Sequence, residues 1–164
     1  MLNNTKVTRR SMMMSLLRGF MVGTGVNALV PLRALAESHS PGVTVYKDPG
    51  CECCTKWVAY LRDNGFAPVV KDRSDMSALK DSLGVPSELR SCHTAVLGKF
   101  VIEGHVPVAE MKRLLAAPPR GMIGLAVPGM PSGSPGMEMP GRADAYSVIA
   151  FAANGTTVVF GRHG

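Results

Sequence analysis

Residues 43–65 read VTVYKDPGCECCTKWVAYLRDNG, and the fold turns on how the apolar period changes inside that run. Val43, Thr44, Val45 and Tyr46 are β-branched or aromatic and predict a first strand, while Lys47, Asp48, Pro49 and Gly50 predict a turn. Over Cys54 to Asn64 the apolar residues Trp57, Val58, Tyr60 and Leu61 recur at helical spacing, with Gly65 as a stop. Three of the chain's four cysteines, Cys51, Cys53 and Cys54, fall at this junction. The thiols therefore sit where a strand hands over to a helix.

Working outward, Ala67 to Lys71 suits a second strand. Ser74 and Asp75 can cap a second helix carrying Met76, Leu79 and Leu83, stopped at Gly84 with Pro86 beyond. Thr94 to Leu97 and Phe100 to Glu103 read as a hairpin around Gly98 and Lys99. Pro107 suits the first turn of a third helix bearing Val108, Met111, Leu114 and Leu115. The predicted order is βαβαββα, an α/β fold. A C-terminal hairpin, Tyr146 to Ala152 and Thr156 to Phe160 around Asn154 and Gly155, is expected to extend the sheet and cover the site from one side.

The first 36 residues hold Lys6, Arg9, Arg10, Arg18 and Arg33, no acid, a weakly apolar stretch from Met12 to Leu35, and a small-residue site at Ala34, Leu35, Ala36. This is the pattern of a bacterial export signal cleaved after Ala36. Thr8 to Met13 resembles a twin-arginine motif, with methionine in the place usual for phenylalanine. Arg18, Asn27 and Pro31 break the segment short of the roughly 20 apolar residues that a membrane span needs, so no stable insertion is expected after cleavage. The domain organisation is then residues 1–36 as signal and 37–164 as one folded domain, placed in the periplasm. The whole chain has 18 basic and 12 acidic residues and a net charge of +6; without the signal's five basic residues that charge falls to +1. The basic balance belongs to the targeting segment, and no case for nucleic-acid binding is left.

Cysteine is a metal ligand as the thiolate, and thiols at a helix N-terminus meet the positive end of the helix dipole, which favours that anion. Soft sulfur donors select Cu(I), Zn(II) or iron–sulfur clusters over hard cations. Zinc is the serious rival to copper, since four cysteines fill a tetrahedral site, but zinc motifs pair two separated C-x-x-C units. Disulfides are the other alternative in an exported protein: Cys51 with Cys54 and Cys53 with Cys92, or Cys54 with Cys92. Crowding three cysteines into four residues closes stabilising loops poorly, which favours metal binding.

The cysteine cluster between a first strand and a first helix resembles the thioredoxin superfamily. The resemblance implies that the loop before the third strand faces the thiols, bringing Cys92, His93 and Thr94 beside Cys51–Cys54. Where thioredoxins carry a cis-proline before that strand, this chain has His93 and Thr94. A closer resemblance runs from Val45 to Pro140. It is carried by Cys51, Glu52, Cys53, Cys54; Cys92, His93, Thr94; Glu103, Gly104, His105, Val106, Pro107; and Gly129, Met130, Pro131, Ser134, Pro135, Gly136, Met137. This combination is similar to the CopG-type exported proteins associated with copper resistance. It implies a Cu(I)-thiolate site held by Cys51, Cys53, Cys54 and Cys92, and other periplasmic copper-handling proteins as partners.

Methionine gives a second signal. Met122, Met130, Met137 and Met139 lie within 18 residues, three of them in the Gly/Pro-rich segment 128–141. Thioethers suit Cu(I) and have little use for zinc; Met130 and Met137 join the candidate ligands because the segment that resembles the CopG-type proteins centres on them, against the alternative of flexible packing residues. His93 is a candidate ligand or an orienting neighbour of a thiolate, and His105 ranks below it. His39 and His163, near the termini of the expected mature chain, are assigned nothing. No nucleophile elbow organises Ser, His and Asp. The reading is a thioredoxin-like copper protein, a binding protein before an enzyme; the alternative is a thiol–disulfide oxidoreductase using Cys51 and Cys54, with Cys92 as resolving thiol.

Overall fold

The computed structural model describes residues 40–164; the expected export signal lies outside the described residues. Seven strands form one sheet: β1 (Gly42–Lys47), β2 (Ala67–Asp72), β3 (His93–Leu97), β4 (Phe100–Glu103), β5 (Gly124–Ala126), β6 (Tyr146–Phe151) and β7 (Thr157–His163). Helices α1 (Glu52–Asp63), α2 (Met76–Ser82) and α3 (Val108–Ala116) connect them, with one 3-10 turn at Ser87–Leu89. The strand order is β2-β1-β3-β4-β5-β6-β7. β1 and β2 are parallel across α1, β4 and β5 are parallel across α3, and the other neighbours are antiparallel. No helix among the described residues is long and apolar enough to cross a membrane.

Alternation along each strand sends side chains to two different cores. Val43, Val45, Ala95, Leu97, Ile102, Leu125, Val148 and Ala150 pack with Trp57, Val58 and Leu61 of α1 and Met111 and Leu114 of α3. The intervening positions Val101, Ala126 and Phe151 meet Val85 and Leu89 behind α2 on the other face. Burial of a side chain such as Leu61 or Leu114, both fully buried, contributes about 1.5–3 kcal/mol. Trp57 adds a directional constraint, because its indole N–H donates to the Val106 carbonyl at 3.0 Å.

Three expectations are corrected. α1 begins at Glu52, with Cys51 as N-cap, two residues before the predicted start. Glu52 and Cys53 are not buried, so the apolar period starts later than the helix, while Glu52 complements the dipole of the first turn. β5 was not predicted, since three residues carry too little alternation; its pairing with β4 is tertiary. The C-terminal hairpin does extend the sheet, at the edge opposite β2, but the segment touching the site is the Gly/Pro-rich loop. β7 also runs to His163, whose ring stacks on Tyr146 at 4.8 Å and whose Nε2 lies 3.0 Å from Glu110 Oε1.

Candidate functional site

The end of β1, the N-terminus of α1, the start of β3 and the end of β4 all lie at one end of the sheet. β3 runs antiparallel to β1, so Lys47 pairs with His93, and the residue before β3, Cys92, arrives opposite the first turn of α1. Cys53 Sγ lies 3.5 Å from Cys51 Sγ and 3.8 Å from Cys92 Sγ. Cys51 and Cys54 are joined by a disulfide, and Cys53 and Cys92 are free thiols. All four sulfurs lie within 4.8 Å of one another. Cys54 is fully buried, whereas the other three are partly accessible.

Cys92 belongs to a second group as well, with His93 and His105, again with one donor atom of each within 4.8 Å of the others. His105 Nε2 is 3.1 Å from Cys92 Sγ and its Nδ1 is 2.8 Å from the Pro135 carbonyl oxygen. A carbonyl can only accept, so Nδ1 carries the proton and Nε2 turns a lone pair toward the sulfur. His93 Nδ1 is 3.3 Å from the same sulfur, its ring is 4.4 Å from Trp57, and its Nε2 has no hydrogen-bond partner among the described residues. Burial, then the neighbouring His105 and Lys80, holds His93 well below the usual imidazole range. Burial also lowers His105, against the pull of the Pro135 carbonyl. Both rings are therefore neutral donors at neutral pH. Burial, and after it Cys53, pushes the Cys92 thiol up to about 12. A soft cation reverses that balance, because a coordinated thiol is deprotonated outright.

The opposite face of the sheet fixes the Cys92 turn. Glu103 is wholly buried; its Oε1 accepts from Lys80 Nζ at 2.5 Å and from the Ser91 N–H at 2.6 Å. Its Oε2 accepts from the Thr94 hydroxyl at 2.6 Å. Lys80 closes the set by donating to Thr94 Oγ1 at 2.8 Å. Above the site, the Ser91 hydroxyl donates to the Gly129 carbonyl. Gly136 takes φ +84°, and a Cβ there would lie 2.8 Å from Trp57 N and 3.1 Å from Cys53 O. Only glycine allows this loop to lie directly on the first turns of α1.

Beside the sulfurs is an open groove of about 490 Å³ lined by Cys51, Cys53, Lys56, Met137 and Met139, among others. Of the two candidate methionines, Met137 lines it. Met130 is 56 % exposed and does not. Met139, passed over in the sequence, does. His105, ranked below His93 in the sequence, stands as close to the Cys92 sulfur as His93 does, and what orients it is a contact with Pro135, thirty residues away.

A family model described as "Protein of unknown function, DUF411" matches residues 89–137, a span holding Cys92, His93, His105 and the loop to Met137. No curated protein matches. Two solved structures do. "Copper resistance protein copG- Form 2" has a TM-score of 0.73 and 40% sequence identity, covering 77% of this chain and 100% of that one. "Copper resistance protein copG- Form 1" has a TM-score of 0.72 and 42% identity, covering 76% of this chain and 98% of that one.

Proposed function

The chain belongs to the family of the copper resistance protein copG, and from that membership we propose that it is an exported copper-binding protein whose centre is the four-cysteine cluster. In its reduced state Cys51, Cys53, Cys54 and Cys92 hold Cu(I) as thiolates. His105 Nε2 and His93 add nitrogen donors, and Met137 and Met139 offer thioethers from the groove. The observation that carries this reading is the convergence of four sulfurs within 4.8 Å around a helix N-terminus, where the dipole and free N–H groups stabilise thiolate charge. The donor set favours copper over zinc because thioether is a ligand for Cu(I) and a poor one for zinc. On the same reading the first four strands and their helices are a thioredoxin-like core, residues 1–36 direct export to the periplasm, and copper is handed on to other periplasmic copper-handling proteins.

The Cys51–Cys54 disulfide favours a redox component within that role. Two Cu(II) ions each gain one electron as the Cys51–Cys54 dithiol loses two electrons and two protons and closes the disulfide, leaving Cu(I) beside Cys53, Cys92 and His105. The alternative is thiol–disulfide exchange with another protein, with copper incidental. Expression with the signal, anaerobic recovery from the periplasm, and measurement of copper, zinc and free thiols separates these. Copper at one equivalent or more, abolished by Cys53→Ser or Cys92→Ser, is expected. A metal-free protein, whose disulfide-reducing activity needs only Cys51 and Cys54, would replace copper binding by the oxidoreductase reading; bound zinc whose chelation unfolds the chain would make the cluster a structural module.

A further inference from the structure

The four sulfurs form a compact cluster, and only one pair in it is bonded. Cys54 is bonded to Cys51, Cys51 Sγ is 3.5 Å from Cys53 Sγ, and Cys53 Sγ is 3.8 Å from Cys92 Sγ. Beyond Cys92 stands His105, whose lone pair on Nε2 faces that sulfur at 3.1 Å because Nδ1 donates to Pro135. Thiol–disulfide exchange needs a thiolate in contact with one sulfur of a disulfide and a leaving sulfur that can carry charge. Cys53 is the thiol whose sulfur contacts both the disulfide, at Cys51, and the other free thiol, Cys92.

We propose that the disulfide migrates within the chain, from Cys51–Cys54 to Cys53–Cys92, with Cys53 as the relay. In the first step Cys53 thiolate attacks Cys51 Sγ; the Cys51–Cys53 bond forms, the Cys51–Cys54 bond breaks, and Cys54 leaves as thiolate. It leaves in the first turn of α1, where unpaired backbone N–H groups and the helix dipole favour an anion. In the second step Cys92, its proton passing to His105 Nε2, attacks Cys53 Sγ. The Cys53–Cys92 bond forms, the Cys51–Cys53 bond breaks, and Cys51 leaves as thiolate and is reprotonated. One disulfide and two thiols are present before and after, so no outside oxidant is needed. The consequence is an intramolecular isomerase activity that restores the Cys51–Cys54 dithiol after that pair has been oxidised. A second electron pair then becomes available at the groove before any external reductant acts.

This inference rests on the four sulfurs being one working site, as proposed above, but its test contains no metal. Trypsin separates Cys92 from the other three sulfurs: Cys51, Cys53 and Cys54 fall in the peptide DPGCECCTK, residues 48–56, and Cys92 in SCHTAVLGK, residues 91–99. Metal-free full-length protein bearing the single Cys51–Cys54 disulfide is held anaerobically near pH 8, sampled over time, quenched in acid, alkylated with N-ethylmaleimide, digested without reduction and weighed by mass spectrometry. The two peptides are expected to become joined at a rate independent of protein concentration. Cys53→Ser should abolish the joining, and His105→Ala should slow it at least about tenfold, the loss of a positioned base. Peptides that stay separate for hours, with Cys53 and Cys92 both alkylated, overturn the proposal, as does joining that persists in Cys53→Ser. Far-ultraviolet circular dichroism of each variant confirms that it is folded. Copper content does not enter, so a failure of the copper reading and a failure of the relay give different results.

Discussion

Replacing Lys80 by methionine removes the charge that faces Glu103 while keeping most of the side-chain volume. Glu103 has no exposed surface and Lys80 only 5 %, so the carboxylate left behind is buried without its counter-charge. The Ser91 and Thr94 donors at 2.6 Å remain, but they do not neutralise it. Removing one partner of a buried pair costs about 3–5 kcal/mol, and at roughly 3–5 °C per kcal/mol for a domain of this size, Lys80→Met should lower Tm by roughly 10–20 °C at pH 7.5. The pH dependence identifies the cause. Burial already raises Glu103 above the usual carboxyl range, with Lys80 the largest influence pulling it back. An acid whose pKa is raised on folding binds its proton more tightly in the folded state, so its contribution to stability is greatest below the unfolded value of about 4.3. That contribution is lost as pH rises through the folded value. Without Lys80 the folded value moves further up, and the deficit relative to the unsubstituted chain should shrink between pH 7.5 and pH 5. Lys80→Met combined with Glu103→Gln should recover most of the loss, since an amide can accept from Ser91 and donate to Thr94. Thermal unfolding at the two pH values measures this. An equal deficit at both, or a deficit under about 1 kcal/mol, would refute the account of a paired buried charge.

Gly136→Ala should cost about 1–2 kcal/mol for the left-handed backbone alone and lift the loop from α1, given the 2.8 Å approach to Trp57 N; faster alkylation of Cys53 in the folded protein would report it. His105→Ala should weaken copper binding about 10–100-fold, the scale of a lost group that orients or supplements the ligands, with an unchanged thiol count; competition with a Cu(I) chelator measures it. Leu114→Ala, in the α3 core away from the sulfurs, should destabilise by about 2–5 kcal/mol yet leave copper stoichiometry unchanged, as urea unfolding and metal analysis of the same sample would show.

The parts of the fold legible in the sequence are those whose signal is local. Trp57, Val58 and Leu61 repeat on one face of α1 and are buried there, and Gly98 and Lys99 separate β3 from β4. What escaped depends on residues far apart in the chain. β5 is a strand only because β4 and β6 flank it. Glu103 ends an apolar run and gives no local sign that Lys80, 23 residues earlier, reaches it through the opposite face. Within the site, the placement of Cys92 beside Cys53 came from a family resemblance, since 39 residues separate them. His105 was ranked low because imidazole in a turn is common, and the Pro135 carbonyl that orients it is contributed by the loop. Met130 and Met139 exchange standing for a related reason: in a segment without period, the sequence does not say which sulfur faces the groove.

The centre is assembled from three stretches, around Cys51–Cys54, Cys92–His105 and Pro135–Met139, that only the finished sheet brings together. An unfolded chain therefore offers a soft ion the short cysteine cluster but neither the Cys92 thiol nor the oriented His105 ring. Any cargo that binds the complete set more tightly than the fragment favours the folded state by mass action, by about 2.7 kcal/mol at a hundredfold excess over its dissociation constant. The same coupling works in reverse. Local opening of the β1–β3 pairing would disperse the donors together, so cargo would be released by an unzipping event and not by loss of one ligand at a time.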